Sequence, residues 1–101
     1  MKVKSGVKLA GLQLVMRKVL VEADKLWKAH NQELVVTSTL DGVHSAVSLH
    51  PYGYAVDLRT RYFDQAEYNV IAGELRLMLG DKYDVVVHYS HIHVEYDAIL
   101  R

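Results

Sequence analysis

The chain has 101 residues, of which twelve are basic and twelve acidic, half are hydrophobic and none is cysteine. That length supports one domain over residues 1–101 with a single core, and the composition is that of a globular chain rather than a disordered one. The balanced charge argues against nucleic acid or an anionic membrane as partner, and the missing thiols exclude disulfides and thiolate metal sites, leaving nitrogen and oxygen ligands only.

The lysines at Lys2, Lys4 and Lys8 read as a solvated end. From Leu9 the apolar residues Leu12, Met16, Val19, Ala23, Leu26 and Trp27 recur at spacings of three and four, which predicts an amphipathic helix ending near His30-Asn31. His30 reads as a helix-end residue, not a ligand. Leu34 to Thr39 is rich in β-branched residues and predicts a short strand. Asp41-Gly42 opens a long polar loop through His44, Ser45 and Ser48, closed by Pro51 and Gly53.

Tyr54 to Arg59 alternates, which puts Ala55, Asp57 and Arg59 on one face and Val56 and Leu58 on the other. Asp64 with Glu67 three residues later has the form of a capping box, so a second helix starts there, with Tyr68, Ile71, Ala72, Leu75, Met78 and Leu79 inward and Gly80 at its end. Gly73 inside that helix suggests close packing against a sheet. Tyr83–His88 and His91–Tyr96 predict a hairpin joined by Tyr89-Ser90, looser than a tight two-residue turn because neither residue favours positive φ. The sum is an α+β domain, a small antiparallel or mixed sheet with two helices.

Two segments carry candidate chemistry. His50 and Asp57 stand seven positions apart with Gly53 between them, and His91-Ile92-His93-Val94-Glu95 presents two imidazoles and a carboxylate on one strand face. A catalytic zinc takes three protein ligands and keeps a fourth position for water, and His50, Asp57 and His93 would supply the three, with Gly53 letting the backbone fold without a Cβ clash. His91 and Glu95 share the face of His93, and Glu95 would orient a ligating histidine from outside. On residue chemistry alone, a metal site and a set of structural histidines both remain open.

Ser48-Leu49-His50-Pro51-Tyr52-Gly53-Tyr54-Ala55-Val56-Asp57 matches all five defined positions of a Ser-x-His-x-x-Gly-x-Ala-x-Asp signature. With His93-Val94-Glu95, it resembles the M15 family of zinc peptidases, the D-alanyl-D-alanine carboxypeptidases and phage L-alanyl-D-glutamate endolysins. The likeness runs from about Val36 to Tyr96. It implies a hedgehog/D-Ala-D-Ala-peptidase-like fold, one Zn2+ held by His50, Asp57 and His93, and hydrolysis of peptidoglycan stem peptides by a zinc-bound water. No apolar run approaches the ~18–20 residues needed to span a bilayer, so membrane insertion is not expected, and the chain is expected to be a monomer. No secretory signal is visible, because Arg17 and Lys18 interrupt the apolar positions, so the expectation is synthesis in the cytoplasm and action at the cell wall in the manner of a phage lysin.

The family places an Asp or Glu three residues before the last ligand as general base and acid. Here that position is Ser90 counting from His93, or His88 counting from His91, and neither is a carboxylate. Three explanations stand side by side: His88 as the proton carrier, a disabled site that binds metal and peptide without turnover, or a closed site in which His88, His91 and His93 rearrange the coordination. The second is the fate of the hedgehog signalling domain, whose fold is similar. Ser48 is expected to support the loop or hydrogen-bond substrate, and Arg59, on the face of Asp57, either to form a surface ion pair or to hold an anionic stem peptide.

Overall fold

The computed structural model describes residues 1–39 and 53–96. Their order is β1 (Lys2–Val3), α1 (Leu14–Ala29), β2 (Val35–Ser38), β3 (Ala55–Arg59), α2 (Gln65–Leu79), β4 (Tyr83–Val87) and β5 (His91–Tyr96). The strands form one five-stranded sheet in the order β1-β2-β3-β5-β4, antiparallel except for the parallel pair β1 and β2. The domain is therefore α+β with a mixed sheet and two helices. Lys2 is part of it, paired with Val35, while the side chains of Lys2, Lys4 and Lys8 are exposed as a solvated end requires.

Alternation sorts the strands into two faces. Val36, Val56, Leu58, Val85, Ile92 and Val94 turn to one side and are buried against Met16, Val19, Trp27, Ile71 and Leu75 of the helices. Asp57, Arg59, His91, His93 and Glu95 occupy the other. Apolar burial, at about 25 cal/mol per Å², fixes which face is which, because a one-residue slip would exchange the two sets.

Helix α1 starts at Leu14, five residues later than the apolar spacing from Leu9 predicts. Gly11 takes a φ of 88°, which ends any helical run before it, yet Leu12 is buried all the same as part of the turn that leads in. At the other end Asn31 adopts a φ of 61°. Gln32 N donates to Trp27 O at 2.9 Å and Asn31 N to Lys28 O at 3.0 Å, the paired bonds of a Schellman motif. Helix α2 begins as expected, with the Asp64 carboxylate accepting from Glu67 N at 3.0 Å.

Gly73 does not mark a close approach: a Cβ there meets nothing within 4 Å. Gly53 does, since its φ is 79° and a Cβ would lie 2.3 Å from Gly11 O. Gln13 N donates to Gly53 O at 3.0 Å, so the entry to β3 is clamped to the turn before α1. The β4–β5 connection keeps His88 opposite His91, with His88 N donating to His91 O at 2.9 Å. Tyr89 and Ser90 both lack positive φ, so this is not one of the tight primed turns. Among the described residues no helix is long and apolar enough to cross a membrane.

Candidate metal centre

The candidate centre lies on the face away from the helices, where β3 and β5 run side by side. Their register sets Asp57 against His93, Arg59 against His91 and Ala55 against Glu95. His93 Nδ1 is 2.9 Å from Asp57 Oδ1, and its Nε2 is 2.7 Å from Glu95 Oε1. His91 Nε2 approaches the same Asp57 oxygen at 3.8 Å. Asp57 and His93 are mostly covered, with 15% and 16% of their side chains exposed, so their mutual contact is only weakly screened by water. Burial opposes a charge on the His93 ring, but the hydrogen bonds to Asp57 and Glu95 and the charges behind them outweigh it and raise the imidazole above its ordinary value near 6.5.

Asp57 is held from behind as well. Between Val36 and Ser38 the register of β2 against β3 shifts, a bulge that sets Ser38 across from Asp57, and Thr37 Oγ1 donates to Asp57 O at 3.4 Å. Bulges of this kind re-aim side chains and recur beside functional sites. At the far end of β3, Trp27 Nε1 donates to Arg59 O at 3.1 Å and ties the strand to α1.

The donor set suits zinc: a carboxylate and an imidazole converge from neighbouring strands, and a second carboxylate holds the other ring nitrogen, the arrangement that fixes the tautomer of a ligating histidine. Two ligands on one tetrahedral zinc sit roughly 3.3 Å apart, given bonds of about 2.0–2.1 Å. The Asp57–His93 contact is shorter than that and the Asp57–His91 separation longer, so either imidazole reaches the position with a shift of about half an ångström. Among the described residues no group of three or more candidate ligands is gathered into a ready-made site. The expected third ligand, His50, lies outside the described residues, as do Ser48 and His44.

The two residues at the missing-carboxylate position part company. His88 stacks on His91, with ring centroids 4.7 Å apart, and meets His93 edge-on at 6.3 Å. Ser90 Oγ lies 3.5 Å from His91 Nδ1, at the edge of that ring. His30, read as a helix-end residue, caps α1 and bonds Glu74 across to α2 at 3.1 Å, far in sequence from the centre. A hollow of about 470 Å³ between α2 and the end of β4 touches the centre, among the described residues, at His88.

Arg59, together with Lys4 and Arg61, lines a smaller hollow against Asp57 and His91. Arg61, like Arg59, follows Asp57 closely in the sequence, whereas Lys4 was not foreseeable as a site residue. The alternation of Arg59 and Arg61 is a weak signal, and Lys4 arrives through the pairing of β1 with β2, which leaves no local mark. Comparison with protein-family models gives no match, and comparison with curated proteins gives none either.

Proposed function

We propose that this chain is a zinc-dependent hydrolase of peptidoglycan stem peptides, of D,D-carboxypeptidase or L-alanyl-D-glutamate endopeptidase type, on a hedgehog/D-Ala-D-Ala-peptidase-like scaffold. The observation that carries the reading is the meeting of Asp57 and His93 on the sheet face away from the helices, with Glu95 on the remaining nitrogen of His93. These are the residues that the Ser-x-His-x-x-Gly-x-Ala-x-Asp and His-x-Glu segments mark, and Gly53 occupies a place where any side chain would strike Gly11 O.

Zinc, when held by Asp57, His93 and His50, supplies Lewis-acid polarisation of a peptide carbonyl and brings the pKa of its water towards about 7. The chain's own residues do the rest. Glu95 fixes the ring of His93, Thr37 steadies the backbone of Asp57, and Arg59 faces the side from which an anionic peptide approaches. His88 is the candidate proton carrier, an imidazole stacked on His91 at the edge of the centre. The chain acts as a monomer on wall peptide.

One observation favours a second reading, a module that binds zinc and peptide without turnover. The two described carboxylates at the centre, Asp57 and Glu95, are both engaged with His93, and His88 and Ser90 stand where a third is expected.

The test is metal analysis followed by incubation with stem peptides ending in D-Ala-D-Ala and with peptides containing the L-alanyl-D-glutamyl bond. The hydrolase reading expects about one zinc per chain and release of D-alanine or cleavage at L-alanine. Zinc uptake with neither product gives the binding module, and a folded chain that takes up no zinc sinks both.

A further inference from the structure

The hollow of about 470 Å³ between the first turns of α2 and the end of β4 has the size of a small-molecule site, a class that runs from roughly 300 to 1,000 Å³. Its described lining is Gln65, Tyr68, Asn69, Val87, His88 and Tyr89, with no Asp, Glu, Lys or Arg among them. The Asp64 cap fixes the first turn of α2, so Gln65, Tyr68 and Asn69, at i, i+3 and i+4, stand on one face of the helix. Tyr68 and Val87 also pack against the core, which anchors that wall, and Tyr89, 95% exposed, joins the lining from the β4–β5 connection.

Two carboxamides, two phenols and an imidazole supply donors and acceptors together, and the tyrosine rings supply apolar faces. None of Gln65, Tyr68, Asn69 and Tyr89 hydrogen-bonds its side chain to a described residue, so these groups are available to a ligand. An anion finds no fixed cation in this lining, and a purely apolar ligand would strip water from its polar groups without replacing it. The ligand that fits is neutral, with hydroxyl or amide groups around its rim and C–H groups on its faces, which describes a pyranose ring carrying an acetamido group. An extended peptide is the other neutral ligand with such groups, and it would have to add to the outer edge of β4. His88 N donates to His91 O, so Val87, one position earlier, turns its N–H and C=O outward. The next outward residue is Val85, and its carbonyl already accepts from Arg76 Nη2 at 2.8 Å. That contact covers the edge and leaves too short a stretch for strand pairing.

We propose that this groove is a glycan site that holds the N-acetylmuramyl ring of the wall polymer and so brings the first bond of the stem, between L-alanine and D-glutamate, to the candidate centre. The inference rests on the hydrolase reading for its substrate. His88 borders both places, with its ring 6.3 Å from that of His93. The sugar is joined to L-alanine through its lactyl group, so the carbonyl of that alanine lies about two residue lengths from the ring, roughly 7 Å. The D-alanyl-D-alanine bond is three residues further along the stem, roughly 10 Å more, and falls beyond the centre. Of the two hydrolase types, an occupied groove therefore favours the endopeptidase.

The test titrates the full chain with N-acetylmuramyl-L-alanine methylamide and with N-acetyl-L-alanine methylamide, which lacks the sugar, and follows the side-chain amide signals of Gln65 and Asn69 by NMR. The glycan site expects the sugar compound to shift both signals to saturation and the sugar-free compound to leave them in place. Asn69→Ala and Tyr89→Ala, both at exposed positions that tolerate the change, each weaken binding by about 10-fold, whereas Tyr89→Phe keeps the ring and most of the binding. Equal shifts from the two compounds, no shift from either, or unchanged binding in both alanine variants overturns the proposal. The two readings fail separately. If the sugar compound binds in the groove while the zinc-loaded chain cuts no stem peptide, the hydrolase reading falls and the glycan site stands. If L-alanyl-D-glutamyl substrates with and without the sugar are cut at equal kcat/KM, or if D-alanine is the sole product, the proposal falls and the hydrolase reading stands.

Discussion

At the scale of residues, His88 and Ser90 are two candidates for one missing carboxylate, and their surroundings predict opposite results on restoring it. Ser90 lines a hollow with Lys4, Arg59 and Arg61, so Ser90→Asp places a resident carboxylate beside Arg59, the side chain proposed to face the peptide. His88 is outside that hollow, stacked on His91. His88→Glu is therefore expected to raise kcat/KM on stem peptides on the order of 10²-fold, the scale of a positioned general base, while Ser90→Asp raises KM and gives no such gain. Equal behaviour of the two variants would show that the position is not what limits the rate. The pairing of Asp57 with His93 was legible beforehand because strand alternation has a period of two and both residues belong to strongly alternating stretches. The cationic hollow was not, since it depends on a parallel strand of two residues and on a bulge at Thr37, neither of which has a local sequence signal.

At the scale of elements, two glycines predict opposite signs for one substitution. Gly73 lies in the interior of α2 with open space where a Cβ would go, so Gly73→Ala is expected to stabilise by about 0.5–1 kcal/mol through helix propensity and a less flexible unfolded chain. Gly53→Ala is expected to destabilise by more than about 2 kcal/mol, because it adds left-handed strain to a collision with Gly11 O. Urea unfolding midpoints at constant slope measure both, and a loss of stability in the Gly73 variant would mean that the helix packs more tightly than its surroundings indicate. The end of α2 and the start of β3 were readable from capping and turn chemistry. The start of α1 was not: Leu9 and Leu12 keep the helical spacing and pack inward, but Gly11 in a left-handed conformation and the bond from Gln13 N to Gly53 O hold that stretch as a turn. Apolar spacing reports which residues face the core, and tertiary contacts decide whether the backbone between them is helical.

At the scale of the whole molecule, the core and both helices occupy one side of the sheet and the candidate ligands the other, so metal binding reports on stability with little disturbance of packing. A ligand that binds only the folded chain adds about 2.7 kcal/mol at one hundred times its Kd, which for a domain of this size is a rise in Tm of roughly 10–20 °C. The pH dependence separates the two states. In the metal-free chain the His93 imidazole, bridging Asp57 and Glu95, has a pKa raised above its ordinary value near 6.5. Its contribution is fully present below that ordinary value and is lost as pH rises through the raised one, so this group makes the metal-free chain less stable across that window. Zinc must displace the same proton, so the increment from zinc grows over the same rise in pH. Melting curves with zinc and with chelator, at pH values below and above neutrality, are expected to converge at the lower pH and diverge at the higher one. An increment that is constant across the range would show that the metal does not compete with the His93 proton, and that Asp57 and His93 meet for structural reasons alone.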